Sequence, residues 1–176
     1  MILGLDVSTS ITGATVLDDQ GNVLLCEAWD TRKYKDIYLK AEAVENNLKA
    51  VASKFTIEQI FVEQSLQSFR SGFSSAKTLS TLSKMNGIVS WMCYSIWGIK
   101  PEHVSATAAR KMCGITVPRG QKAKEIVLNF LLDNESCFEI QYTKYGNPKP
   151  GAYDRADSIV IARAGYSLWK ERNSTS

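Results

Sequence analysis

The sequence lacks long hydrophobic runs, clustered cysteines and more than one histidine, and each absence excludes a class of protein. No stretch approaches the roughly 20 uninterrupted apolar residues of a membrane-spanning helix. The four cysteines are far apart and show none of the paired spacing of a zinc site, so we expect reduced thiols. No basic segment precedes an apolar one at the N-terminus, which argues against secretion. We therefore expect a cytoplasmic protein.

The size and charge of the chain indicate a single globular domain. The chain has 176 residues, of which 44% are hydrophobic, and this is enough for one good core. We expect a single domain over residues 1–172, followed by a frayed tail at 173–176. The formal net charge of +3 permits nucleic-acid binding but does not require it.

Apolar periodicity predicts an α/β protein with five strands and five helices. Three consecutive strands form an antiparallel meander, and the later strands are separated by helices, as in a mixed sheet with parallel members. The predicted strands cover 2–6, 12–17, 23–29, 57–62 and a short segment at 104. The predicted helices cover 37–55, 73–97, 106–112, 121–132 and 152–170.

Carboxylates stand at the ends of two predicted strands. An apolar run leads to Asp6, and a second apolar run leads to Glu63. The carboxyl end of a parallel strand is where open α/β folds bind ligands, and a buried carboxylate needs a partner there. Taken alone, Asp6 could equally cap the turn that follows it.

Two further acids open the last predicted helix. Asp154 and Asp157 are three residues apart and share a helix face, although capping alone could explain such a pair. If the strands ending in Asp6 and Glu63 are neighbours, all four carboxylates converge on one edge of the sheet. Their repulsion then requires a hard divalent cation, and oxygen-only ligands suit Mg²⁺ or Mn²⁺. Two such ions could activate a water molecule and stabilise the leaving 3′-oxygen of a phosphodiester.

Four segments, in order, resemble the motifs of the RuvC family of Holliday junction resolvases, which have the RNase H-like fold. They are GLDVSTSITG, VEQS, PRGQKAKEIV and YDRADSIVIA, and the resemblance covers nearly the whole chain. It implies a homodimeric, Mg²⁺-dependent crossover junction endodeoxyribonuclease of DNA recombination and repair, of bacterial or phage origin, that nicks four-way junctions symmetrically. By position, the metal ligands and catalytic acids would be Asp6, Glu63, Asp154 and Asp157. One departure is Val7-Ser8, where many members have Pro-Gly.

The resemblance also implies contacts with DNA. Arg119 and Lys124 match basic positions near the scissile phosphate, with Lys122 between them, and Lys124 would take part in catalysis by stabilising charge. Phe69 resembles an aromatic residue that stacks on a base, and Arg70 adjoins it. Alternatively, the basic residues could simply be a solvated start of a helix, and Phe69 could belong to the core.

Two other regions are candidate contact surfaces. Lys144, Tyr145 and Lys149, in a loop rich in proline and glycine, could contact the DNA backbone. The second half of the long helix, residues 85–97, is apolar on more than one face, so it is either a dimer surface or deeply buried. His103 is expected to have a structural role.

Three other functions remain open on the sequence. A nuclease of the same fold could act on RNA–DNA hybrids or on RNA with similar acids. The first segment also resembles the phosphate-binding hairpin of actin-like and sugar-kinase ATPases, although that architecture duplicates its domain and leaves Glu63 without a role. A third alternative binds junctions without cutting them.

Overall fold

A computed structural model describes residues 1–65 and 76–174 of the chain. Its five strands form one sheet in the order β3-β2-β1-β4-β5. The strands are β1 (Ile2–Asp6), β2 (Ile11–Leu17), β3 (Val23–Asp30), β4 (Gln59–Glu63) and β5 (Glu102–Val104). The helices are α1 (Ile37–Lys54), α2 (Ala76–Trp97), α3 (Ala106–Met112), α4 (Ala123–Asn134) and α5 (Ala152–Ser174).

The pairing confirms the predicted mixed sheet. Strands β1, β2 and β3 pair antiparallel, whereas β4 is parallel to β1 and β5 is parallel to β4. Asp18 closes the hairpin between β2 and β3, because its carboxylate accepts hydrogen bonds from the backbone N–H groups of Gln20 and Asn22. The central position of β1 follows from this topology, and its two neighbours are β2 and β4.

The sheet separates two hydrophobic cores. Side chains alternate along a strand, so Leu3 and Leu5 of β1 pack with the buried residues of α1 and α2 on one face. Ile2 of β1 and Phe61 of β4 belong to the opposite core, together with buried residues of α3, α4 and α5. The predicted α/β class with helices on both faces is therefore confirmed.

Helix α5 crosses the second face at very short range because small residues lie along its path. A Cβ added at Gly4 of β1 would lie 2.5 Å from the backbone nitrogen of Ala162. A Cβ added at Gly165 would lie 2.2 Å from the ring of Phe61 on β4. The absent side chains let the helix axis approach the sheet, and this fixes where the first turn of α5 lies.

The bounds of helices α4 and α5 differ from the predictions by two to four residues. Helix α5 continues through Ser174, so the chain is still helical at 173–174, where a frayed tail was expected. Helix α4 begins at Ala123 rather than at 121, because Pro118 to Gln121 form a turn. For the second half of α2, where a dimer surface and burial were both open, Val89 is fully buried, whereas Trp91 and Tyr94 remain exposed. None of the helices in the described ranges has the length and apolar character needed to cross a bilayer.

Gly4→Ala tests the close approach of α5. The added methyl group would overlap the backbone at Ala162, so we expect the free energy of unfolding to fall by about 1–3 kcal/mol. Gly87→Ala is the matched control, since nothing lies within 4 Å of a Cβ at that position in α2. Alanine there should be neutral or stabilise by about 0.5–1 kcal/mol. Denaturant unfolding measures both, and equal stability of the two variants would contradict the tight contact.

Candidate active site

Asp6 and Glu63 lie side by side because they end two neighbouring parallel strands. The residues immediately before them are paired in the β1–β4 register, so the two acids are adjacent at the carboxyl edge of the sheet. Side chains two positions apart on a strand share a face. Gly4 and Phe61, two residues earlier on each strand, both contact α5. Both carboxylates therefore point to the side of the sheet that α5 covers.

The first turn of α5 brings Asp154 to the same edge. Gly13 of β2 is the cross-strand partner of Asp6, and a Cβ added at Gly13 would lie 1.9 Å from the carbonyl oxygen of Asp154. The hydroxyl oxygens of Thr15 and Ser158 are 2.8 Å apart and join the next turn of the helix to the same strand. The start of α5 thus rests directly on the strand beside Asp6.

Asp157 completes the group. It lies three residues after Asp154 on α5, and this spacing puts both on one helix face. The charge of Asp157 raises the pKa of Glu63, after the larger effect of burial. The structure therefore brings Asp6, Glu63, Asp154 and Asp157 into one electrostatically coupled cluster, as the hypothesis of neighbouring strands predicts.

Burial and mutual repulsion raise the pKa of each of these four carboxyls. Burial raises the pKa of Asp6 well above its usual value, and the charges of Glu63, Asp157 and Asp154 raise it further. Burial also raises the pKa of Glu63 to about 7 and that of Asp157 to about 6. The pKa of Asp154 is raised, again mainly by burial. A site of this kind stabilises either protons or cations.

The carboxylate oxygens fit a hard divalent cation, but the side chains do not form a complete coordination site. The cluster consists of carboxylates from β1, β4 and α5, which are the oxygen ligands that Mg²⁺ and Mn²⁺ prefer. Within residues 1–65 and 76–174, no group of three or more His, Cys, Asp or Glu side chains is placed closely enough to hold an ion. The four carboxylates would have to draw together to share one.

Two cations adjoin the acids. Lys124, in the first turn of α4, partly offsets the rise in pKa that burial causes at each of the four carboxyls. Arg110 of α3 does the same for Glu63 and Asp157. Positive charge therefore lies next to the cluster on the side of α3 and α4. Lys124 is itself exposed, so its ammonium group is accessible to a ligand.

The other predicted basic residues of this segment precede α4. Arg119 is exposed in the turn before α4. Lys122 is also exposed, and its Nζ lies 2.9 Å from the carboxylate of Glu125. The predicted base-stacking residue Phe69 and its neighbour Arg70 lie outside the described residues. Only Lys124 of the basic turn is therefore within electrostatic reach of all four acids.

Lys144 and Lys149 belong to a hairpin, residues 141–149, rather than to an irregular loop. An antiparallel bridge joins Tyr142 to Pro148 within it. The side chains of both lysines are exposed. The hairpin precedes α5 directly, so these lysines are close along the chain to Asp154.

Arg110 was not identified from the sequence. It lies in a short helix that carries no recognisable motif, and only the topology reveals its place. Strand β5 runs parallel to β4, so the helix that follows it starts at the same edge of the sheet as Glu63. A basic residue one turn into the helix after a parallel strand is the signal that could have found it.

A buried amide supports the tip of β4. Asn86 of α2 donates from Nδ2 to the backbone carbonyl of Glu63 at 2.8 Å. Its Oδ1 lies 3.1 Å from Nε2 of His103, and that nitrogen also lies 3.2 Å from Oγ of Ser90. Because an amide oxygen can only accept, Nε2 of His103 donates to it. His103 thus has the structural role expected from the sequence: it holds Asn86, which in turn bonds the carbonyl of Glu63.

No protein-family model and no curated protein matches this sequence. Solved structures of Holliday junction resolvases have the same fold. T. thermophilus RuvC in complex with a Holliday junction substrate superposes with a TM-score of 0.66 at 17% identity, over 99% of this chain and 96% of RuvC. Another Thermus thermophilus RuvC structure gives a TM-score of 0.62 at 18% identity, over 99% and 96%.

A eukaryotic resolvase has the same fold. The yeast mitochondrial Holliday junction resolvase Ydc2 gives a TM-score of 0.56 at 16% identity, over 98% of this chain and 82% of Ydc2. At such low identities the likeness establishes the architecture and leaves the activity to the site. The fold implied by the four motifs, the RNase H-like fold of the RuvC resolvases, is confirmed.

Glu63→Gln tests the electrostatic strain in the cluster. A carboxyl whose pKa is about 7 when folded binds more protons folded than unfolded, so stability falls as the pH rises from about 4 to about 7. In chelator at pH 8, we expect Glu63→Gln to raise the free energy of unfolding by on the order of 1 kcal/mol, with no gain at pH 4. Glu42→Gln, at an exposed site on α1, is the control. An equal gain at both pH values would exclude repulsion as the cause.

Proposed function

We propose that this protein is a metal-dependent endonuclease that cuts four-way DNA junctions. The observation that carries the proposal is the convergence of four half-buried carboxylates at one edge of a sheet with the fold of the RuvC resolvases. The RuvC structure in complex with a Holliday junction substrate supports branched DNA as the substrate class. Enzymatic cleavage, rather than binding alone, accounts for clustered acids that would otherwise repel DNA phosphates.

Asp6, Glu63, Asp154 and Asp157 would hold two Mg²⁺ or Mn²⁺ ions. When bound, the ions would activate the attacking water and stabilise the leaving 3′-oxygen. The contribution of the chain is to keep the carboxylates half-buried at one edge of the sheet, so that their proton affinity is raised without a cation. Ion binding would then release protons, so metal affinity should increase as the pH rises.

Lys124 and Arg110 would bind the phosphate groups of the scissile strand. A DNA backbone approaching four acids is repelled, and these two cations, on α4 and α3, supply opposing charge beside them. Arg119 and Lys122, on the turn before α4, would extend this contact along the backbone. Lys124 is the candidate for stabilising charge during cleavage, because it alone couples to every acid of the cluster.

A second copy of the chain is the proposed partner. One cluster cuts one strand, and symmetric resolution of a junction needs two. The surface we assign to the dimer contact lies on the face of the sheet opposite α5, where α1 and α2 expose large apolar side chains. Tyr38 is 76% exposed and Trp91 is 65% exposed, and Ile88 lies in the groove between them. Such a patch is typical of an interface.

The substrate and the metal role can be tested together. Labelled four-way junction, RNA–DNA hybrid, duplex and single strand would be incubated with Mg²⁺, Mn²⁺ or chelator. We expect paired nicks in the junction with either metal and none in chelator. Asp6→Asn and Glu63→Gln should each reduce nicking by at least about 100-fold and leave junction binding largely intact.

Asp133→Asn, at an exposed site on α4, is the matched control and should nick at the wild-type rate. Cleavage of the hybrid and not of the junction would replace the proposed substrate. Activity that persists in chelator, or in both acid variants, would remove the metal from the proposal. Nucleotide binding without nuclease activity would favour the ATPase alternative.

Trp91→Glu tests the dimer surface. Its side chain is exposed, so a charge there should leave the fold intact and convert a dimer into a monomer at micromolar concentration in sedimentation. The core residue Val89 is unsuitable, because a charge at a fully buried site unfolds the protein. Leu24→Glu, on β3 at 43% exposure, is the control. A monomeric wild type, or a dimeric Trp91→Glu, would contradict this surface.

A further inference from the structure

Residues 141–149 form a compact hairpin outside both cores. Its strands are held by hydrogen bonds from Lys149 N to Gln141 O and from Thr143 N to Asn147 O, each 2.8 Å long. The turn is closed by a bond of 3.0 Å from Gly146 N to Thr143 O. Gly146 has a φ of +79°, a conformation that glycine adopts without strain. The backbone of the hairpin is thus ordered by its own bonds.

The hairpin exposes aromatic rings that its own fold does not need. Tyr145 is 77% exposed and Tyr142 is 53% exposed. The Nζ of Lys144 lies over the Tyr145 ring, 4.9 Å from its centre. Rings held out on a rigid turn cost little further entropy when they stack on a ligand. Their position indicates a contact surface rather than a part of the core.

The charge of the hairpin favours a polyanion. Residues 140–153 contain Lys144 and Lys149 and no aspartate or glutamate. Alternating lysines and tyrosines supply phosphate contacts and stacking faces together, which is the combination that single-stranded or unpaired nucleic acid requires. An apolar protein partner would not need the lysines.

The base of the hairpin is fixed to the helix that carries two of the acids. Ala152 N donates to Lys149 O at 3.2 Å, so the end of the hairpin is bonded into the start of α5. Gly151 packs against Ala28 of β3, where an added Cβ would lie 2.7 Å from the Ala28 side chain. Asp154 follows three residues later. The hairpin is therefore held beside the acid cluster and cannot move independently at its base.

We propose that this hairpin stacks Tyr145 on an unpaired base of the branched DNA next to the cleaved phosphate, while Lys144 and Lys149 bind the flanking phosphates. This inference rests on the proposed nuclease function. It assigns the hairpin as the element that binds the DNA next to the acid cluster. Base stacking is tolerant of sequence, so the hairpin would select DNA whose bases are free to unstack at a branch point rather than a particular sequence.

A junction carrying 2-aminopurine next to the cleaved phosphates tests the contact. Full-length protein in an Asp6→Asn background keeps the junction uncut, and stacking of the base changes its fluorescence. We expect Tyr145→Phe to retain the signal and Tyr145→Ala to lose it, with binding weaker by about 5- to 150-fold. Leu24→Ala removes an exposed apolar side chain elsewhere and should change neither.

Salt dependence separates the two kinds of contact. Lys144→Ala and Lys149→Ala should each reduce the slope of log affinity against log salt by about one, whereas Tyr145→Ala should leave the slope unchanged. A Tyr145→Ala protein that keeps the fluorescence signal and wild-type affinity overturns the inference while the nuclease function stands. So does a change in its oligomeric state, which would assign the ring to a protein contact. A wild type that neither binds nor nicks junctions overturns both.

Discussion

The distance between α5 and the sheet is the constraint on which this site depends. Three positions without side chains, Gly4, Gly13 and Gly165, let the helix lie against β1, β2 and β4. The buried aliphatic side chains of α5 then fill the core beneath it. Packing of this kind stabilises a helix position strongly enough to hold two acids next to two others, although their charges oppose it. Burial of the apolar side chains of α5 thus offsets the unfavourable free energy of placing four acids next to one another.

Local pattern predicted the elements of this fold well, and non-local geometry decided the rest. Strand tips at Asp6 and Glu63 and the helix face of Asp154 and Asp157 follow from periods of 2 and 3.6 residues. That β1 and β4 are neighbours was a condition of the prediction, because no local signal sets strand order. Arg110 could not be predicted from the sequence for the same reason, since its position beside the acids depends on β5 running parallel to β4.

The long helix α2 shows a second limit of pattern. Its carboxyl-terminal half is apolar on several faces, so the sequence alone does not distinguish the side chains in the core from those in solvent. The structure buries Val89 and Cys93 and leaves Trp91 and Tyr94 exposed. Asn86, a polar residue within the buried stripe, has its place because it bonds the carbonyl of Glu63. The one polar member of the stripe therefore links this helix to the acid cluster.

The sheet divides the proposed work between its two faces. The acids lie on the face of the sheet that α5 covers, beside the cations of α3 and α4, and the hairpin 141–149 leads into that helix. The exposed rings of α1 and α2 lie on the opposite face. A second copy docked on the α1–α2 surface would therefore leave both acid clusters open to DNA. Carboxylates and the ions they would hold carry no preference among phosphodiesters. Under the proposed function, the choice of substrate would therefore come from the surroundings: the spacing of two clusters in a dimer, and the side chains that would hold a branch point beside each.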